Sequence, residues 1–304
     1  MTAPSDATPA AAAETLARAR PLYWSVRREL WENRSLYIAP LSVAGVILLA
    51  LLVSTVNVHV KVAGRFDRAD ALSGLAVALA FVSMAIILTS LLVGVFYCLG
   101  ALHNERRDRS ILFWKSLPVS DLTAVTSKAL IPLAVVPSIT FAIVLAMQLI
   151  MLLIAYVVYQ VTGLGVANLA ALPMGRIWLI LVYGLITQTL WYAPVWAWLL
   201  LVSAWARRAP FLWAVLPPLA LCVVERLALQ TTFLSTLLQD RLAHGAERAF
   251  RMADRGDGSR LSLSNLPQPD LVHFASSASL WIGLLVAMAC LAGAVRLRRV
   301  REAA

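Results

Sequence analysis

The chain has 304 residues, of which 61% are hydrophobic and only 14% charged, with a formal net charge of +10. Soluble domains carry about 25% charged residues, and a soluble fold of this length has no interior large enough to hide so much apolar surface. The basic residues sit in short clusters between long charge-free runs, which suits anionic lipid headgroups and argues against a nucleic-acid surface.

Residues 1–20 are Ala-rich and lack the leucine-rich core of a secretory signal, so they read as a disordered cytoplasmic tail. From 21 to 35 the pattern becomes amphipathic. Leu22, Tyr23, Val26, Leu30 and Trp31 fall on one helical face, and Arg27, Arg28, Glu29 and Glu32 on the other. Such a helix is expected to lie in the membrane interface, held by Trp31 and the arginines.

Residues 36–304 then read as a six-span membrane domain, with spans near 36–56, 75–101, 130–159, 177–204, 211–229 and 274–295. A helix needs about 20 residues to cross about 30 Å of hydrocarbon, where every backbone group must bond within its own segment. The fold class is therefore all-α integral membrane. Pro132, Pro137 and Pro194 predict kinks, and Ser90 with Gly94 makes a small-residue face for close packing. Pro217 and Pro218 are expected to shorten the fifth span. Between spans five and six, the stretch 231–252 is amphipathic and fits either a surface-lying or a re-entrant segment, followed by a polar loop over 254–265. Both termini are expected to be cytoplasmic: that orientation puts 16 Lys and Arg of short segments inside and four outside.

Several chemistries have no residues to perform them. The sequence contains no HExxH, no GxSxG and no glycine-rich phosphate loop ahead of a Lys, so the chain is expected to be no enzyme and to bind no ATP itself. Cys98, Cys222 and Cys290 lie in apolar runs without CxxC spacing, which leaves neither a disulfide framework nor a thiolate metal site. Near membrane depth the polar groups Gln148, Gln188, Glu225 and Arg226 are too few for an intramembrane catalytic site. Trp191, Trp198 and Trp205 recur every seven residues on one face of the fourth span, as a wall of a substrate path or as bundle packing. Glu225 ends the fifth span as either a gate residue or an interfacial anchor.

The most patterned segment lies between spans two and three, from His103 to Lys128. Ile111, Leu112, Trp114 and Leu117 form an apolar stripe that stops at Pro118; Ser120 then caps a new helix with Asp121 in its first turn. A basic juxtamembrane anchor would need less pattern than this.

In these residues the chain resembles the permease subunits of type-2 ATP-binding-cassette (ABC) exporters. That family joins its second and third spans by a Glu-Arg pair, a short helix, a Leu-x-Pro-x-Ser turn and a Lys opening the third span. Glu105-Arg106, Ser116-Leu117-Pro118-Val119-Ser120 and Lys128 stand in those places. Arg107-Asp108-Arg109-Ser110 replaces the Gly-Thr or Gly-Ser common after the pair, which points to a subfamily. The resemblance implies a coupling helix docking on an ATPase chain. Glu105, Arg106, Asp108 and Arg109 would form its charged rim, Phe113 and Trp114 its aromatic anchor, and Leu117, Pro118 and Ser120 its turn. Arg27, Arg28, Leu30 and Trp31 would pack beside it. It also implies two ATPase copies carrying ATP and Mg, a second permease copy as a homodimer, and an outer gate of re-entrant half-helices after span five. The site would be the bacterial cytoplasmic membrane. A non-transporting scaffold subunit and a secondary transporter are the competing readings; no internal repeat supports the latter.

Overall fold

In hydrocarbon an uncharged apolar run can satisfy its peptide groups only by coiling, and the chain follows that constraint along most of its length. A computed structural model describes residues 21–61, 68–107, 120–162, 169, 172–251 and 267–301. In chain order these begin with α1 (Pro21–Glu32), α2 (Ser35–Lys61), α3 (Arg68–Ala101), α4 (His103–Arg107) and α5 (Asp121–Leu130). Then come α6 (Val136–Thr162), α7 (Met174–Trp205), α8 (Pro210–Val224), α9 (Phe233–Ala243) and α10 (Gly245–Ala249). A two-residue antiparallel ladder pairs β1 (Phe250–Arg251) with β2 (Gln268–Pro269), ahead of α11 (Leu271–Ser276) and α12 (Ala278–Arg301). Among the described residues six helical segments are long and apolar enough to cross a membrane. The chain is thus an all-α, multi-pass membrane protein.

The prolines are absorbed in different ways. Between α5 and α6 the helix widens into a π turn, Ile131–Val135, with Pro132 in its first positions and Val136 N–H reaching back to Ile131 O. Pro132 has no N–H to give to the ladder, and one extra residue in the turn accommodates the ring. By contrast, α7 runs through Pro194 without interruption. Pro217 and Pro218 do not shorten the fifth span as the sequence suggested. The helix continues through both to Val224, and a second π turn, Glu225–Leu229, completes a 20-residue segment. The sixth span begins at Ala278 rather than 274, because Ser277 adopts extended backbone and closes α11 through its N–H to Phe274 O.

The fourth span, α7, is the spine of the bundle. Trp191, Trp196, Leu200 and Ser203 are buried on it, and its most extensive packing is against α12. Gly94 of α3 lies under the Trp196 ring, where an added Cβ would stand 3.3 Å from the ring edge, so the small-residue face of α3 is used to seat an aromatic. A second apolar cluster joins α2, α3 and α6 through Ala44, Leu79, Ile86, Val144 and Met147. The fifth span is the most peripheral: Ala214 is its one buried residue among those described.

The segment after the fifth span folds back onto the middle of α7 instead of lying apart from the bundle. Trp191 is completely buried there beneath Ala249, Phe274 and Leu280. Gly245 is the seat: a Cβ on it would come within 2.7 Å of Trp191 Cδ1. The ring is fixed on its other sides, so overpacking at this point costs about 1–3 kcal/mol. Gly245→Ala is accordingly expected to lower the melting temperature in detergent and to expose the 233–251 segment to limited proteolysis. Gly175→Ala, whose Cβ meets nothing within 4 Å, serves as the silent control.

Candidate functional site

At the end of the bundle where α1, α4, α5 and the last turns of α12 meet, the helices are held by charge. Ser120 caps α5, its hydroxyl accepting from Thr123 N at 3.2 Å, with Asp121 in the first turn where the helix dipole favours a carboxylate. Two turns later Lys128 points inward and is only 3% exposed. Its Nζ lies 2.6 Å from Glu29 Oε1 of α1 and 3.0 Å from Glu105 Oε1 of α4. Glu105 turns its other oxygen to Arg298 Nη1 of α12 at 3.2 Å, and Arg298 Nε reaches Asp121 Oδ1 at 3.3 Å. The Tyr97 hydroxyl of α3 donates to Glu29 Oε2 at 2.9 Å. Three carboxylates and two cations from α1, α4, α5 and α12 thus share one network, buried at Glu29 and Lys128 and open to solvent at Asp121.

A second set of contacts fixes α4 to the end of α7. Arg106 donates to the carbonyls of Ser203, Ala206 (2.9 Å) and Leu102 (3.4 Å), satisfying groups that the helix end would leave open. The Ser203 hydroxyl accepts from Leu102 N and His103 N, both at 3.0 Å. Glu105 and Arg106, which the resemblance placed on an outward rim, are therefore engaged within the chain. Asp108, Arg109, Phe113, Trp114, Leu117 and Pro118 lie outside the described residues.

The interfacial helix is turned differently from the sequence reading. Val26, Glu29 and Leu30 face the bundle, and Glu29 is 4% exposed instead of on the polar side. Trp31 is 68% exposed. Arg27 is sandwiched by Trp24 and Trp31, each 5.3 Å from ring centroid to guanidinium, while Arg28 pairs with Glu32 on the surface. The cause is Lys128: a buried ammonium needs a carboxylate, and that requirement outweighs the apolar register of the helix. The spacing Val26, Glu29 and Leu30 was the available signal, but it reads as an apolar stripe with one flaw until a partner is known.

The three tryptophans of the heptad repeat have three environments. Trp191 donates from Nε1 to Arg241 O at 2.9 Å, and the Arg241 guanidinium stacks 4.2 Å over its ring while donating to Trp191 O and Ser279 O. Trp198 is part-buried and donates to Ala214 O of α8 at 3.1 Å. Trp205 is exposed and meets Trp213 edge-on. Glu225 accepts from Phe233 N and Leu234 N, both at 2.8 Å, and from the Thr231 hydroxyl at 2.9 Å, so it caps α9 from a distance. Gln148 is buried and satisfied by Ser83 and Trp178, which ties α3, α6 and α7 together. No family model, curated protein or solved structure matches the chain.

Removing one partner from a buried ion pair leaves the other charge uncompensated, at about 3–5 kcal/mol. Lys128→Met is expected to destabilise the protein by about that amount, because the buried Glu29 would lose its cation and Glu105 would keep only Arg298. Adding Glu29→Gln should recover part of the loss, a coupling readable as non-additive melting shifts in a double-mutant cycle. Additive shifts would mean that the pair is not coupled.

Proposed function

We propose that this chain is the permease subunit of a bacterial type-2 ABC exporter, coupled at residues 103–128 to separate ATPase chains that bind ATP and Mg. The observation that carries the reading is the charge network. Glu105 at one edge of that segment, and Asp121 and Lys128 at the other, are bonded to Arg298 and Glu29. A displacement of the segment would therefore move α1, α5 and α12 as one body instead of dissipating in a loop.

The π turn Ile131–Val135 separates α5 from the rest of the third span. Such turns are weak points in the helical ladder, and here one gives α5 room to rock while α6 stays packed on α2 and α3. At the far end, the Arg241–Trp191 contact holds the 233–251 segment on α7 and would serve as the closed position of an outer gate. The function is thus a rigid-body change driven from the segment between spans two and three. The clustering of arginines beside that segment favours a cytoplasmic placement for it and for both termini, and a homodimer would complete the transporter.

Purification of the intact chain from its native membrane together with whichever P-loop ATPase it binds is the direct test. The intact chain should co-purify that ATPase in stoichiometric amount. Trp114→Ala combined with Leu117→Ala should cut the yield of the complex at least about tenfold, as expected of an interface anchor, with the permease's own melting temperature unchanged. If the intact protein retains no ATPase, the exporter reading falls.

A further inference from the structure

The turn between the fourth and fifth spans is short and tightly constrained. Ala206 closes α7, Arg207 and Arg208 follow, and Ala209 takes φ 47° before Pro210 opens α8. A left-handed alanine is costly and persists where its surroundings hold it. Two contacts from α4 do so: Arg106 Nη2 donates to Ala206 O at 2.9 Å, and His103 Nδ1 lies 3.1 Å from the same carbonyl. With α4 attached to the turn, Arg107 comes to line the same open hollow as Arg207 and Arg208, a space of about 510 Å³.

Among the described residues that hollow is lined by His103, Arg106, Arg107, Arg207 and Arg208 with Ala206 and Ala209, none of them a carboxylate. Arg107, Arg207 and Arg208 are exposed and make no ion pair among the described residues. The first turn of α8 has no side-chain cap, and the positive end of its helix dipole lies at the same place. Four guanidinium groups around one hollow repel each other, and the group that relieves them is a polyvalent oxyanion held by paired N–H donors.

The neighbouring surface indicates which oxyanion. A second hollow, of about 520 Å³, shares Arg207 and Arg208 but is walled by Trp205 and Trp213, whose rings meet at 4.7 Å. Beyond them α8 presents Phe211 and Leu212, both exposed on a membrane-crossing helix. Charge on one side and an aromatic, hydrocarbon-facing wall on the other fit a phosphate carrying acyl chains better than a free ion. We propose that this hollow is a binding site for an anionic phospholipid, its phosphate on Arg107, Arg207 and Arg208 and its chains along Trp205, Trp213 and α8. The proposal rests on the membrane character of the chain and is independent of the exporter reading.

Native mass spectrometry of the full-length protein in detergent tests it, with dioleoyl-phosphatidylglycerol and dioleoyl-phosphatidylcholine titrated separately. The intact protein should retain phosphatidylglycerol over phosphatidylcholine. Arg207→Gln with Arg208→Gln should weaken that retention about 30-fold, the loss expected for two arginines at a headgroup. Arg296→Gln with Arg299→Gln, which removes equal charge outside the hollow, should change it less than about threefold. If the first pair fails to fold, Arg107→Gln alone decides, with about a fivefold loss expected. Equal retention of the two lipids by the intact protein, or equal losses in the two paired variants, would overturn the proposal. So would stabilisation by inorganic phosphate without preference for phosphatidylglycerol, which would assign the hollow to a soluble anion.

Discussion

An ammonium group cannot be taken out of water at the foot of a helix bundle unless carboxylates meet it there, and Lys128 imposes that condition on everything around it. Glu29 of α1 and Glu105 of α4 both reach it, Tyr97 donates to the second oxygen of Glu29, and Arg298 balances the second oxygen of Glu105. The orientation of the N-terminal helix, the inward turn of α4 and the anchoring of the last helix all follow from this one requirement. A buried network of this kind adds little stability compared with a well-packed apolar core, but it penalises every arrangement in which one member is missing. It selects one arrangement of α1, α4, α5 and α12 at this end.

The opposite half of the bundle is closed by a different interaction. Arg241 is buried without a carboxylate in direct contact among the described residues; it stacks on Trp191 and gives its N–H groups to the carbonyls of Trp191 and Ser279. The aromatic face and the helix carbonyls together supply the negative potential that an acid would otherwise provide. α7 carries both ends, with Trp191 in its middle and Ser203 near its terminus bonded to α4. Charge network, central helix and aromatic seat are therefore continuous through α7.

Much of the local structure could be read from residue order. The cap at Ser120, the acidic first turn at Asp121 and the amphipathic start at 21 depend on neighbours within one helical turn, and the structure has each of them. The heptad of tryptophans was legible as one face of one helix but not as a function. Which ring is buried, which is part-buried and which meets another tryptophan depends on segments 8 to 50 residues away. Pro217 and Pro218 misled for a related reason. Helix-breaking cost is estimated for an isolated helix, whereas in a membrane segment neighbouring groups and local π turns re-satisfy the ladder.

Composition and the spacing of charge-free runs determined, without help from tertiary contacts, that this is a membrane protein, with six segments among the described residues long and apolar enough to span, because hydrocarbon excludes charge and leaves helix as the form for an open backbone. Tertiary structure alone decided the partners of its charges. Glu29 reads as a surface residue until Lys128 is placed beside it, and nothing in the run Arg296, Arg298, Arg299 and Arg301 marks Arg298 as the one that turns inward. Pairing energy falls off within a few ångströms, so partners are chosen by the three-dimensional approach of helices distant in sequence. Glu29 and Lys128 are 99 positions apart in the chain and 2.6 Å apart in the fold.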